Sequence, residues 1–342
     1  MRQTTNDLPT VLILATGGTI GMHDRGNGFE IDPDFPEILE ERANEIAARY
    51  GFRARVNQLQ PAIESSNADE ETAPKIARAI RARVTAMRPI GAVVTHGTDT
   101  LAYSASRLAF ELADLGVPVA ITGSQFAHGV DPTDAWDNLE LAIRTVAQGS
   151  SAATIAPANV SVAFGGQVMP GQRATKFDAE GLVAFRAERA LGTSPRGIPA
   201  PAAGADAGRR THARVLSFRF TPAVAARDLL AAASGEPDAL VLECYGAGNA
   251  PMGKPGMADA LREIAARMPV AVITQCTHGE MDTSRYAVGR QLAATGVIPG
   301  GELTVEAAIA KLGYLLDRGY SREEIAALVP ANLVGECSGT AD

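Results

Sequence analysis

The sequence predicts an α/β protein with a larger N-terminal domain, built on a doubly wound parallel sheet, and a smaller C-terminal α/β domain. Its 342 residues exceed the usual single-domain range, and 46% hydrophobic residues are ample for two cores. Short apolar, β-branched runs alternate with stretches of helical spacing through both halves, the order that builds parallel sheets. Between the halves, SPRGIPAPAAGADAGRR is rich in Pro, Ala and Gly without periodicity, the composition of a linker. These observations place domains at 1–192 and 214–342, joined by a linker at 193–213.

The first strand is Val11 to Ala15, whose continuous apolar character suits a parallel strand buried on both faces. It breaks into Thr16-Gly17-Gly18-Thr19, placing a hydroxyl at a strand's carboxyl end, where ligands sit in open α/β sheets. Thr19 is therefore the candidate nucleophile. Strand followed by Gly-Gly also begins phosphate-binding turns, but neither G-x-G-x-x-G nor a Walker sequence is present. Met22 to Pro33 is rich in Gly, Asp and Asn, which predicts a mobile loop beside Thr19, placed to act as a lid.

A helix is expected over 36–49 and a strand over 52–59. In ESSNADEE, Ser66 or Asn67 is expected to cap a helix whose dipole Asp69, Glu70 and Glu71 complement. The alternation continues with helix 74–87, strand 91–95, helix 100–114, strand 117–121 and helix 133–147. Val93 to Thr100, VVTHGTDT, brings Thr98 and Asp99 to the same sheet edge as Thr19 if their strands are neighbours. Trp136 falls on an apolar helix stripe and reads as core. Residues 159–186 read as shorter strands with Gly-Gly and Pro-Gly turns. Lys176, within them, is by default a surface lysine. Beside Thr98 and Asp99, its ammonium would hold a hydroxyl ready to lose its proton. In the second half we expect strands 214–220, 238–243 and 270–274, and helices 222–233, 256–267, 304–317 and 321–330. Ser321 and Glu324 form a capping box at the start of the last helix.

Composition excludes several function classes. A net charge of −8 argues against nucleic-acid or anionic-membrane partners, whose sites need clustered Lys and Arg. The opening MRQTTNDLPT has no apolar h-region, so the protein is expected to stay where it is made. Three cysteines, Cys244, Cys276 and Cys337, form neither a disulfide framework nor a metal motif, which fits a reducing cytoplasm. Cys276 is expected to be a small buried residue. No pair among the five histidines has metal-ligand spacing, and His96 is expected to support its loop by hydrogen bonding. No metal site and no cofactor is expected.

ATGGTI at the first strand and HGTDT at His96–Thr100 are joined by ITGSQ, GQRATK, YGAGNAP and ITQCTHG, at Ile121, Gly171, Tyr245 and Ile273. Together these segments resemble the L-asparaginase family, and YAVGRQLAATGVIPGGELTVEAAIAKL most resembles its bacterial cytoplasmic, type I-like members. The resemblance implies hydrolysis of L-asparagine to L-aspartate and ammonia, with Thr98 and Lys176 as the proton-handling pair. It implies that Asp99 pairs with the substrate's α-ammonium. Ser65 and Ser66 would meet the α-carboxylate and α-amino group, and the Ser124 carbonyl would accept from the amide NH₂. It also implies a homodimer or homotetramer in which Asn249 approaches a neighbour's site, with Glu280 a weaker candidate. The family's lid brings a tyrosine where this chain has Phe29, which offers no hydroxyl. Two alternatives follow: an amidase for glutamine or another small amide, and an asparagine-binding sensor of low turnover.

Overall fold

The computed structural model describes residues 8–24, 26, 28–149, 160–187, 195–202 and 212–338. The chain forms two compact units, Met1–Ala187 and Glu188–Asp342. Much of the expected linker, 193–194 and 203–211, lies outside the described residues. Residues 195–202 belong to the C-terminal unit, where the Tyr320 hydroxyl donates to the Pro199 carbonyl and the Ala202 amide to Glu324 Oε1.

In the N-terminal unit, β1 (Thr10–Gly17), β4 (Arg53–Ile63), β5 (Gly91–Thr95), β6 (Val119–Thr122) and β7 (Val160–Phe164) run parallel. β8 (Gln167–Pro170) adds antiparallel to β7, and the order is β4-β1-β5-β6-β7-β8. Every residue from Val11 to Thr16 and from Gly91 to Thr95 is buried, as a strand covered on both faces requires. Side-chain alternation splits β1: Val11, Ile13 and Ala15 join one core cluster with α1 (Phe35–Arg49) and α4 (Ala135–Gln148). On the other face lie α2 (Thr72–Met87), which contacts β1, and α3 (Leu101–Glu111), which contacts β6 and β7. Each fully buried Leu or Ile here contributes about 1.5–3 kcal/mol.

The C-terminal unit repeats the pattern with four parallel strands: β11 (Val215–Arg219), β12 (Ala239–Cys244), β13 (Val270–Thr274) and β14 (Ile298–Pro299). α5 (Ala226–Ser234) and α6 (Met257–Arg267) pack one core with β12 and β13, while α8 (Val305–Asp317) contacts β11, β12 and β13. The short α7 (Ala287–Ala293) and α9 (Arg322–Leu328) complete the unit, and Ser321 and Glu324 form the expected capping box.

Three expectations need correction. Met22 to Pro33 is not a structureless loop: β2 (Met22–Asp24) and β3 (Phe29–Ile31) pair as an antiparallel hairpin. The Gly26 amide bonds Asp24 Oδ1 at 2.7 Å, a local Asx bond that begins the reversal. The second correction concerns the helix after ESSNADEE, which begins at Thr72. Ser66 and Asn67 bond the Glu64 carboxylate instead, and Asp69 Oδ1 accepts from the Glu71 amide and the Thr72 hydroxyl. Finally, Cys276 is exposed, because the chain leaves β13 two residues earlier.

Candidate active site

β1, β4, β5 and β6 end at one sheet edge, and glycines bring their loops into backbone contact. Gly17 (φ +126°) and Gly18 (φ +93°) hold conformations that L side chains resist. A Cβ at Gly17 would lie 2.3 Å from the Ile63 carbonyl oxygen, and one at Gly18 would lie 2.4 Å from the Gly97 nitrogen. Gly97 in turn has room for no side chain above Ser65 Oγ, at 2.3 Å from its Cβ position. Thr19 and Thr98 each follow one of two touching glycines. The order β4-β1-β5 means that the chain leaves β1 on one side and returns to pair on the other. Such a reversal is where open α/β sheets bind ligands, and the two threonines lie in the loops that follow β1 and β5.

Hydrogen bonds reinforce the convergence. Thr16 Oγ1 donates to the Thr95 carbonyl at 2.7 Å, and Thr100 Oγ1 donates to the Ser65 carbonyl at 2.9 Å. Thr19 is half-buried at the start of a single 3-10 turn, Thr19–Gly21, and Thr98 is 7% exposed. Lys176 lies on β9 (Thr175–Lys176), which pairs with β10 (Phe185–Arg186). Its ammonium donates to Thr98 Oγ1 at 2.8 Å and to Asp99 Oδ1 at 3.2 Å. A cation donating to a hydroxyl oxygen stabilises the negative charge left when that hydroxyl gives up its proton.

His96 is wholly buried, with Nδ1 on the Gly97 carbonyl at 2.8 Å and Nε2 facing Ser104 Oγ at 3.0 Å. Burial pushes its pKa down, so the ring is a neutral brace for the Thr98 loop. Ser124 is buried in the loop after β6, and its hydroxyl donates to the Phe126 carbonyl. Ser65 is buried beneath Gly97, whereas Ser66 is exposed. Asn249 belongs to the C-terminal unit, where its backbone pairs with Tyr245 in a tight turn after β12, and Glu280 is exposed in the same unit.

Family comparison decides what this edge belongs to. Residues 10–195 match the model described as Asparaginase, N-terminal, and residues 214–329 match the Glutaminase/Asparaginase C-terminal domain. The L-asparaginase of Thermococcus kodakarensis is 31% identical over 96% of this chain and 99% of its own length. The chain belongs to the asparaginase family. Escherichia coli L-asparaginase 1 is 32% identical, covering 96% of this chain and 97% of its own. Among solved structures, the thermostable T. kodakarensis L-asparaginase superposes with a TM-score of 0.80 at 30% identity, over 97% of this chain and all of that one. L-asparaginase I of Vibrio cholerae gives 0.78 at 27%, over 96% and 99%.

As an asparaginase-family member the protein is a hydrolase acting on amides. Among the described residues, no group of three or more His, Cys, Asp or Glu is arranged to hold a metal ion. No helix among them is long and apolar enough to cross a membrane. Sequence reasoning missed the residues that shape the loop after β6. The Asp134 carboxylate accepts the Gln125 and Phe126 amides, and Asn138 Nδ2 joins it to the Gly123 carbonyl. The i, i+4 pair Asp134–Asn138 at the start of α4 was the available signal. His128 and Asp32 were also missed; they lie far apart in sequence and match no motif.

Proposed function

We propose that the protein hydrolyses L-asparagine to L-aspartate and ammonia with Thr19 as nucleophile. The observation that carries this reading is the Lys176–Thr98 hydrogen bond at 2.8 Å, in a loop whose glycine touches the one preceding Thr19. Thr98, with Lys176 behind it, handles the proton of the attacking hydroxyl and later that of the water that releases the acyl-enzyme. Asp99, with its side chain 61% exposed, faces solvent with a carboxylate suited to an α-ammonium. In this reading Ser65 and Ser66 bind the substrate's α-carboxylate and α-amino group, and the Ser124 carbonyl receives the amide NH₂. Backbone amides around Thr19 and Thr98 stabilise the oxyanion.

The reading extends to a cytoplasmic homodimer or homotetramer in which Asn249 approaches a neighbouring subunit's site. The three cysteines, none bridged to another, support a reducing compartment. A glutamine amidase and an asparagine-binding sensor are less favoured, since the full-length relatives named above are asparaginases and a binder has no use for a threonine–lysine pair. Ammonia release from L-Asn and L-Gln, by wild type beside Thr19→Ala, tests the reading. Release from Asn by wild type and not by the variant supports it. An inert wild type whose melting temperature rises with Asn replaces it with the sensor.

A further inference from the structure

The 3-10 turn carrying Thr19 is only three residues long, so each bond it makes is a large share of what holds it. The Gly18 carbonyl accepts the Gly21 amide at 3.0 Å, the Thr19 carbonyl accepts the Met22 amide, and the Gly21 carbonyl accepts the Asp32 amide at 2.9 Å. At the Ile20 carbonyl the contact comes from a side chain of another loop, His128 Nδ1, at 3.2 Å. The opposite ring nitrogen, Nε2, faces Asp32 Oδ2 at 3.2 Å. Both ring nitrogens therefore face acceptors. A neutral imidazole has one N–H and can satisfy only one; the imidazolium satisfies both.

The surroundings are built for that ring. Its side chain is 8% exposed, lying against Phe35 of α1 (ring centroids 5.2 Å apart) and edge-on to Trp136 of α4 at 6.1 Å. One charged group, Asp32, contacts the ring, and two further groups contact its neighbours. Asp32 also accepts the Asp34 amide through Oδ1; His23 of β2 shares Asp32 Oδ2 at 3.2 Å; and the Arg42 guanidinium of α1 stacks on the Trp136 ring at 5.6 Å. The Asp32 carboxylate thus offers the ring an acceptor on the side opposite the Ile20 carbonyl.

We propose that His128 is a positioning residue for the nucleophile: Asp32 holds its ring, and the ring holds the Thr19–Gly21 turn through the Ile20 carbonyl. The proposal rests on the reading of Thr19 as nucleophile. Displacement of a reacting group by about 1 Å can cost 10²-fold in rate, so a loosened turn lowers kcat. Asp99, Ser65 and Ser66 lie outside the turn, so KM holds.

The test compares ammonia release from L-Asn by wild type, His128→Leu, His128→Asn and Asp32→Asn, with circular dichroism confirming the folded state. Asn places an NH₂ where Nδ1 stands and can still donate to Ile20. The expected result is a kcat about tenfold lower in His128→Leu with KM within about twofold, and a kcat within about threefold of wild type in His128→Asn. Asp32→Asn, which weakens the contact that holds the ring, should lower kcat by a smaller factor with KM unchanged, and it carries the test if His128→Leu does not fold. A wild-type kcat in His128→Leu, or a kcat in His128→Asn as low as in His128→Leu, overturns the proposal. An active Thr19→Ala would instead overturn the nucleophile assignment, so the two failures are distinct.

Discussion

Two lysines reach across long stretches of chain to an oxygen partner, and their surroundings differ in kind. Lys176, 21% exposed, donates to the Thr98 hydroxyl and to the largely exposed Asp99. Lys311 on α8 is fully buried: it pairs with the equally buried Glu336 at 2.6 Å and donates to the Val329 and Ala331 carbonyls at 2.9 and 2.5 Å. Glu336 in turn accepts the Leu333 and Val334 amides. All three N–H bonds of Lys311 have an acceptor and water is excluded, so the pair locks the final segment onto α8. Lys176 meets a hydroxyl, whose proton can move, at a sheet edge that solvent reaches. The difference teaches that saturation and dryness make an ion pair structural, whereas a hydroxyl partner at a partly exposed edge leaves the lysine free for the proton handling proposed above.

The sharpest way to break this contrast is to remove the chemistry without touching the lock. Thr19→Ala, or Lys176→Met, should lower kcat/KM for asparagine by on the order of 10⁴-fold while the melting temperature stays within a few degrees, measured by ammonia release and calorimetry. The reverse experiment is Lys311→Met, which leaves the Glu336 carboxylate buried without its cation. It should cost roughly 3–5 kcal/mol of unfolding free energy, read by urea titration, with kcat unchanged where the protein is folded. Replacing Glu336 by Gln in the same chain should restore part of that loss.

Asp99→Asn removes the exposed anion beside Lys176. It should raise KM for asparagine about 30-fold, or about 2 kcal/mol, with a smaller effect on the melting temperature. A smaller effect comes from His96, which is buried and neutral in the folded chain but protonates near ~6.5 when unfolded. Its contribution is complete above about pH 6.5 and declines as pH falls below that, because the unfolded chain then binds the extra proton. The slope is at most about 1.4 kcal/mol per pH unit, and His96→Gln should lose it in pH-dependent unfolding. Smallest of all, Phe29→Tyr on the exposed strand of the hairpin should change kcat by less than about threefold. A larger gain would mean that a hydroxyl there takes part in the chemistry.

Much of the candidate edge was legible in advance because it combines two strong local signals. Apolar runs such as Val11–Ala15 must become buried strands, and glycines directly after them admit only close backbone approach. The strand at 91–95 matches its expected bounds for that reason. The β2–β3 hairpin was missed because strands of three residues are too short to show alternation. α7 and β14 escaped notice in the same way. Capping at Ser66 or Asn67 failed because Glu64 competes for both side chains, a choice between equally local partners that composition does not rank.

The sequence by itself determined the α/β alternation, the glycine-threonine loops and the family, because each depends on residues adjacent in the chain. The Thr98–Lys176 pair, 78 residues apart, was expected from the family resemblance and not from the residues alone; only the tertiary structure decided that Lys311 is buried while Lys176 is not, and that His128 reaches Ile20 across 108 residues. The physical reason is that a side chain's partner and its access to water are set by packing between distant segments, which no local pattern encodes.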